Sequence, residues 1–262
     1  MTTPLLLFSD VDGTLLDRDG HYAMSADELA PFTRSLLIVL ASSRTVLELS
    51  RNQRALGITG PVVAENGAVI AFPWHELHAC CGSRDQIDGR LWCVMTLGVT
   101  AASIRAAILR EAAQLGLDFV DQLDVDPALD RRASVCLRPG YGASTSTLAP
   151  LAARLATLGY TAASGGDWLA VTQHADKGRG ARAVLTELAE RGETPLVVGA
   201  VGDGDNDVPL LCAADQRYVI ARDNGTWHDA LRVVPNVTCM ARHGIAGWRD
   251  VVTNFVTFSE PA

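Results

Sequence analysis

Short apolar runs that stop abruptly at polar residues recur along the chain. Leu5-Leu6-Leu7-Phe8 leads into Ser9-Asp10-Val11-Asp12-Gly13-Thr14, Leu36 to Ala41 into Ser42-Ser43-Arg44-Thr45, and Leu196 to Val201 into Gly202-Asp203-Gly204-Asp205-Asn206-Asp207. Continuous apolar runs this short, bounded by Gly and polar residues, predict fully buried strands of a parallel sheet. Between them lie helix signals. Ser25-Ala26-Asp27-Glu28 and Thr45-Val46-Leu47-Glu48 are capping boxes, so helices are predicted from about residue 26 and from Thr45 to Leu56, the second stopped by Gly57. Pro61 to Ala64 predicts a further strand, turned by Asn66-Gly67 into a partner over Val69 to Phe72. Strand, helix, strand in this order implies right-handed parallel crossovers.

The texture changes at Pro73. Trp74 to Gly89 has no clear period. Strands are then predicted over Leu91–Val99, Leu117–Val120 and Ala133–Leu137, with helices over Ala101–Leu115 and Ser146–Leu158. Asp121 to Arg132, charged and containing Pro127, reads as a loop, and Pro139-Gly140 as a break. Tyr160–Ala163 and Trp168–Thr172 flank Ser164-Gly165-Gly166-Asp167, a hairpin signal. The α/β rhythm resumes with a helix over Gly178–Arg191. After the Leu196–Val201 strand come a helix over Val208–Ala214, a strand over Arg217–Ala221, and closing helices over Thr226–Leu231 and Gly244–Phe255. The expected architecture is α/β, a doubly wound core of residues 1–72 and 173–262 interrupted by an α+β unit of residues 73–172.

Composition alters this picture little. The net charge of −8 argues against a nucleic-acid or anionic-membrane partner but not against an anionic small molecule, because a local cation overrides the global field. The six cysteines form no CxxC pair and mostly sit among apolar neighbours, which predicts buried thiols and a reducing compartment. The N-terminal stretch has no basic segment followed by a signal-type apolar run, so a cytoplasmic location is expected. A monomer or homodimer is expected.

The chemistry collects at strand ends. In open α/β sheets, ligands bind at the carboxyl edge of the strands. Asp10 and Asp12 end one strand, Ser42 a second, and Asp203 and Asp207 follow a third, while Lys177 opens the helix before that third strand. Two carboxylates at one strand end repel unless a cation lies between them, and Mg²⁺, a hard ion, favours oxygen ligands. A phosphate monoester carries about two negative charges near neutral pH and resists attack by a carboxylate until those charges are neutralised. Lysine supplies a point charge for this, and hydroxyl and backbone N–H groups supply directed hydrogen bonds.

These residues also carry a resemblance. Asp10-Val11-Asp12-Gly13-Thr14, Ser42, Lys177 and Gly202-Asp203-Gly204-Asp205-Asn206-Asp207 resemble, in order, the four motifs of the haloacid dehalogenase (HAD) superfamily. The resemblance implies a Rossmann-like core, a Mg²⁺ cofactor and phosphoryl transfer through an aspartyl-phosphate. It implies Asp10 as nucleophile and metal ligand. Asp12 becomes the acid/base and a metal ligand through its backbone carbonyl. Ser42 and Lys177 hold the phosphoryl group, with Ser43 an alternative to Ser42. Asp203 becomes a metal ligand and Asp207 completes the metal shell through water. Asn206 is expected to hydrogen-bond the site from behind, and Asp205 to be a loop residue.

Only 29 residues separate Asp12 from Ser42, too few for a domain, whereas the 73–172 insertion falls between Ser42 and Lys177. That placement resembles the C2-capped, type IIB branch. Ser42-Ser43-Arg44-Thr45, Gly165-Gly166-Asp167 with Asp176-Lys177-Gly178, and Gly244-Ile245-Ala246-Gly247-Trp248 resemble the mannosyl-3-phosphoglycerate phosphatases within it. Arg44 stands where that family commonly has lysine. The implied partner is a small phosphorylated sugar or sugar acid. Cof-like or sucrose-phosphate phosphatases are the alternative, and a phosphomutase a third reading. A substrate carboxylate would call for an arginine fork, with Arg44, Arg131, Arg132 and Arg138 as candidates and His174 as a further contact.

Overall fold

The computed structural model describes residues 5–75, 82–117, 130–138, 145–165, 168–222 and 224–259. The chain opens with β1 (Leu5–Ser9), α1 (Ala26–Leu29), β2 (Leu36–Ala41), α2 (Val46–Leu56), β3 (Val62–Ala64) and β4 (Val69–Pro73). Both capping boxes form, with the Ser25 and Thr45 side chains accepting from Glu28 and Glu48 N–H, and Gly57 ends α2 at φ 64°. Then follow β5 (Ser83–Ile87), β6 (Arg90–Thr96), α3 (Ala101–Gln114), β7 (Val135–Leu137), α4 (Ala149–Thr157), β8 (Tyr160–Gly165) and β9 (Trp168–Gln173). The chain closes with α5 (Lys177–Glu190), β10 (Val197–Gly202), α6 (Val208–Cys212), β11 (Gln216–Ala221), α7 (Asp229–Arg232), β12 (Val237–His243) and α8 (Gly244–Ser259).

The central sheet has the order β12-β11-β10-β1-β2-β3-β4-β6-β5. It is parallel from β12 to β3 and antiparallel from β4 outward. Alternation along β1 divides its side chains between two buried layers. Leu5 and Leu7 join the layer built from α1, α2 and α8, while Leu6 and Phe8 join the layer of α5, α6 and α7. Each such aliphatic or aromatic side chain withdrawn from water contributes about 1.5–3 kcal/mol. β1 is therefore a rigid base for whatever follows Ser9. A second sheet, β7-β9-β8, packs with α3 and α4 around its own core of Ile104, Ile108, Leu151, Leu155 and Val171.

The inserted unit begins later than the expected boundary at residue 73. Residues 83–96 form β5 and β6 and extend the central sheet, because β6 pairs with β4 in the register Phe72↔Cys93 and buries Trp92 and Val94 against the core. The strand predicted from Leu91 is real, but it belongs to the core layer. Two elements escaped prediction. β5 is polar (Ser83-Arg84-Asp85-Gln86-Ile87) because it lies at the sheet edge, and β12 shows the same half-exposed pattern at the other edge. The closing helix predicted from Thr226 is reduced to the short α7. Cys136 is a buried thiol, whereas Cys93 is disulfide-bonded and Cys212 and Cys239 are exposed thiols, against the expectation that most of the six are buried thiols. The apolar flanks of Cys93 suit a buried bridge as well as a buried thiol. Most of the Leu117–Val120 strand and of the Asp121–Arg132 loop lies outside the described residues, as do Pro139-Gly140 and the Gly166-Asp167 turn. Among the described residues, no helix is long and apolar enough to cross a membrane.

Candidate active site

The parallel registers bring the chemistry to one edge. Ser9 pairs with Leu40 of β2 and with Val201 of β10, so Asp10, Ser42 and Asp203 leave adjacent strands at the same carboxyl end. Asp10 N–H still donates to the Val201 carbonyl at 3.0 Å, which carries the ladder one residue past the strand. The chain then turns. Three amides, of Thr14, Leu15 and Leu16, converge on the Val11 carbonyl. Gly13 takes φ +83°, and a Cβ there would lie 2.8 Å from Asp203 Oδ2, so both the turn and the approach of Asp203 require glycine.

The floor of the site is a buried charge cluster. Lys177 Nζ donates to Asp10 Oδ1 and to Asp207 Oδ1, each at 2.6 Å, and Lys177 is 1% exposed. Asp207 Oδ2 accepts from the N–H groups of Asp203 (3.1 Å) and Gly204 (3.0 Å), which folds the loop after β10 around its own carboxylate. Thr14 Oγ1 donates to Asp203 Oδ1 at 3.4 Å. Oxygens of Asp10, Asp203 and Asp207 lie within 4.8 Å of one another. Three carboxylates against one ammonium leave two negative charges in excess. Burial and the neighbouring Asp207 and Asp203 hold the Asp10 carboxyl well above its ordinary value, against the pull of Lys177. Burial and Asp207 push Asp203 up to about 6. Burial works against the charge on Lys177, but Asp10 and Asp207 outweigh it and hold the ammonium above its usual range. An all-oxygen set with a charge deficit of two fits a hard divalent cation, Mg²⁺ above all.

The rim is different. Asp12 is exposed, and its carboxylate receives both prongs of the Arg44 fork, Nε to Oδ2 at 2.9 Å and Nη2 to Oδ1 at 2.6 Å. The turn at Gly13 thus separates two carboxylates that simple strand alternation would put on one face. Ser42 is buried, its Oγ accepting from Arg44 N–H at 3.3 Å and its N–H donating to the Val63 carbonyl at 2.9 Å. Ser43 is partly exposed, its carbonyl taken by Arg131 Nη1 at 3.0 Å. Asn206 Nδ2 donates to Asn66 Oδ1 at 3.5 Å, on the loop after β3.

The other arginine candidates are otherwise engaged. Arg132 is paired with Asp85 and Asp130, and Arg131 also donates to Ser134 Oγ at 3.1 Å. Arg138 is exposed just past β7. His174 is exposed with φ +53°, its imidazole beside Gly159 at the foot of the inserted unit. Glu65 is the residue that sequence reasoning missed. It is buried at φ +52°, accepting from Arg132 and Ala133 N–H, both at 2.9 Å, and from Ser134 Oγ at 2.6 Å. It thereby pins the strand entering β7 to the loop beside Ser42, whose carbonyl accepts from Asn66 N–H at 2.9 Å. Burial raises the Glu65 carboxyl against these hydrogen bonds. The signal available was an acidic residue at the end of the apolar run Val62-Val63-Ala64, next to Asn-Gly.

Residues 7–87 match the model of the haloacid dehalogenase-like hydrolase family. A crystal structure from Thermoplasma acidophilum aligns with TM-score 0.68 at 14% identity, covering 97% of this chain and 98% of that one. A haloalkanoate (HAD) superfamily phosphatase from Bacteroides thetaiotaomicron aligns at 0.62 and 19% identity, covering 97% and 95%. The sucrose-phosphatase of Synechocystis, solved with sucrose and phosphate, aligns at 0.60 and 12% identity, covering 98% and 99%. The fold is α/β with a mainly parallel central sheet, shared with these structures and consistent with the Rossmann-like core of the matched family.

Proposed function

We propose that this protein is a Mg²⁺-dependent phosphatase of the HAD superfamily that hydrolyses a small phosphorylated sugar or sugar acid through a phosphoryl group carried on Asp10. The observation that carries the reading is the pairing of a floor of buried Asp10, Lys177 and Asp207 with half-buried Asp203, and a separate carboxylate, Asp12, two residues along from Asp10 at the rim. The match over residues 7–87 supports it.

Each residue then has a defined task. An Asp10 oxygen forms a bond to phosphorus as the bond to the leaving oxygen breaks, and Asp12 gives that oxygen its proton. Asp12 next takes a proton from water, whose oxygen attacks phosphorus and frees the Asp10 carboxylate. Lys177, held at 2.6 Å from Asp10, offers its charge to the phosphoryl oxygens. Ser42 offers its hydroxyl to them from the end of β2. The Arg44 fork holds the Asp12 carboxylate at the rim and must open when Asp12 is to exchange a proton with the leaving oxygen or water. When bound by Asp10, Asp203, the Asp12 carbonyl and, through water, Asp207, Mg²⁺ supplies the charge neutralisation that lets a carboxylate approach a phosphate.

The unit of α3, α4 and the β7-β9-β8 sheet is proposed as the C2-type cap that selects the substrate. Mannosyl-3-phosphoglycerate is the leading substrate, on the resemblances around Ser42-Ser43-Arg44-Thr45 and Gly244–Trp248. Asp85 and Asp130 occupy Arg132, Asp12 occupies Arg44, and Ser43 and Ser134 hold Arg131, so a substrate carboxylate taken by any of these three would displace a present partner. The full-length likeness to sucrose-phosphatase favours a sugar phosphate as the second reading. A phosphate-release screen with Mg²⁺ across hexose phosphates, sucrose phosphate and glycosyl-3-phosphoglycerates tests this. Release confined to simple hexose phosphates moves the assignment to the second reading. Isomer formation without free phosphate moves it to a phosphomutase.

A further inference from the structure

The Gly244–Trp248 run has no task in the site as described. Trp248 is nevertheless fully buried on α8, beneath the sheet. Alternation along β1 sends Leu5, Leu7 and Ser9 toward the α8 layer, so Ser9 is a buried hydroxyl on an otherwise apolar face, directly before Asp10. Trp248 Nε1–H donates to Ser9 Oγ at 2.8 Å, and Ser9 Oγ donates to the Asp10 carbonyl at 2.7 Å. An indole N–H can only donate, so the hydroxyl accepts from Trp248 and its own hydrogen points to Asp10. The direction of the chain is therefore set. Asp10 N–H is tied to Val201 on β10, so Asp10 has its backbone held from both ends. Gly247 makes the reach possible: a Cβ there would run into the Arg242 carbonyl and Ile220, so only glycine lets α8 press this closely on β11 and β12.

We propose that Ser9 and Trp248 are positioning residues for Asp10, holding the Asp10–Val11 peptide, and through it the attacking carboxylate, from the back of the sheet. This rests on the reading of Asp10 as nucleophile. Ordinary core packing at these two positions would be served equally by alanine and phenylalanine. The hydroxyl and the indole N–H add a fixed dipole chain that ends on the nucleophile's own carbonyl. A displacement of about 1 Å in a reacting group costs on the order of a hundredfold in rate, so a partial loosening is expected to cost about tenfold.

The test compares full-length wild type with Ser9→Ala, Ser9→Thr and Trp248→Phe. It measures turnover of p-nitrophenyl phosphate with Mg²⁺ and amide hydrogen exchange over residues 10–16. Ser9→Ala and Trp248→Phe are expected to lower kcat about tenfold with KM held within about twofold, while Ser9→Thr, which keeps the hydroxyl, recovers most of the loss. Exchange over residues 10–16 should quicken in the first two variants and not across β2 and β11. Wild-type kcat in both variants, or exchange that rises evenly through the molecule, overturns the proposal. If wild type releases no phosphate from any monoester, the proposed function falls and exchange alone decides. Local loosening of residues 10–16 then upholds the positioning role, and unchanged or even exchange overturns it.

Discussion

The floor and the rim of the site use the same two chemical groups, carboxylate and cation, in opposite settings. On the floor, Lys177 is clamped between Asp10 and Asp207 with almost no water. At the rim, Arg44 grips Asp12 with about half of the carboxylate side chain exposed. A buried charge left without its partner costs about 3–5 kcal/mol, whereas an exposed ion pair contributes about 0–1 kcal/mol. The floor is therefore structure and chemistry at once, and the rim is free to move. That suits the proposed roles, in which Asp10 as nucleophile stays put and Asp12 as acid/base changes partners.

The largest way to break this contrast is Asp10→Asn. Turnover should fall by at least about 10⁴-fold with the fold intact, since nucleophile and framework act as one unit. Phosphate release together with circular dichroism checks it. Asp12→Asn comes next, with kcat down about 10²–10⁴-fold. Its melting temperature should barely move, because only an exposed pair is lost. Lys177→Met should do both kinds of damage, cutting kcat about 10²–10³-fold and destabilising the metal-free protein by about 3–5 kcal/mol. Urea unfolding in chelator reads the second effect, and added Mg²⁺ should recover part of it. Equal stability losses in Asp12→Asn and Lys177→Met would erase the distinction between floor and rim.

A smaller effect comes from pH. Asp203 has its folded pKa raised from 3.8 to about 6. A raised acid binds its proton more tightly in the folded state, so that contribution is favourable below the unfolded value and is lost as pH climbs through about 6. Metal-free protein should therefore lose up to about 3 kcal/mol of stability between pH 4 and pH 6 from this group. Asp203→Asn should flatten that slope in melts followed across pH. The slope should also shrink when Mg²⁺ is present, because the cation takes the place of the proton.

The floor was legible in the sequence because each member stands at a strand or helix end with a local signal. Apolar runs stop at Asp10 and before Asp203, and Lys177 follows an N-cap aspartate whose side chain accepts from Arg179 N–H. The parallel sheet does the rest by aligning the ends. What escaped notice are partnerships formed at long range. Glu65 meets residues 132–134 and Trp248 meets Ser9 across 239 positions, and nothing in either neighbourhood announces the other partner. The sheet edges were equally hidden. β5 is polar and edge-exposed, so it carries no apolar run, and without it the apolar rhythm of the core stops at Pro73. Asp85, on that same edge strand, holds Arg132, a partner that the sequence around Arg132 does not announce.

The most direct test of the account is acid quenching of the enzyme during turnover, followed by mass analysis of the peptide that contains Asp10. The account predicts one phosphoryl group on that peptide at Asp10, building up when Asp12→Asn slows the water step and absent in Asp10→Asn. Steady phosphate release with no phosphoryl group on Asp10, in wild type and in Asp12→Asn alike, would contradict it.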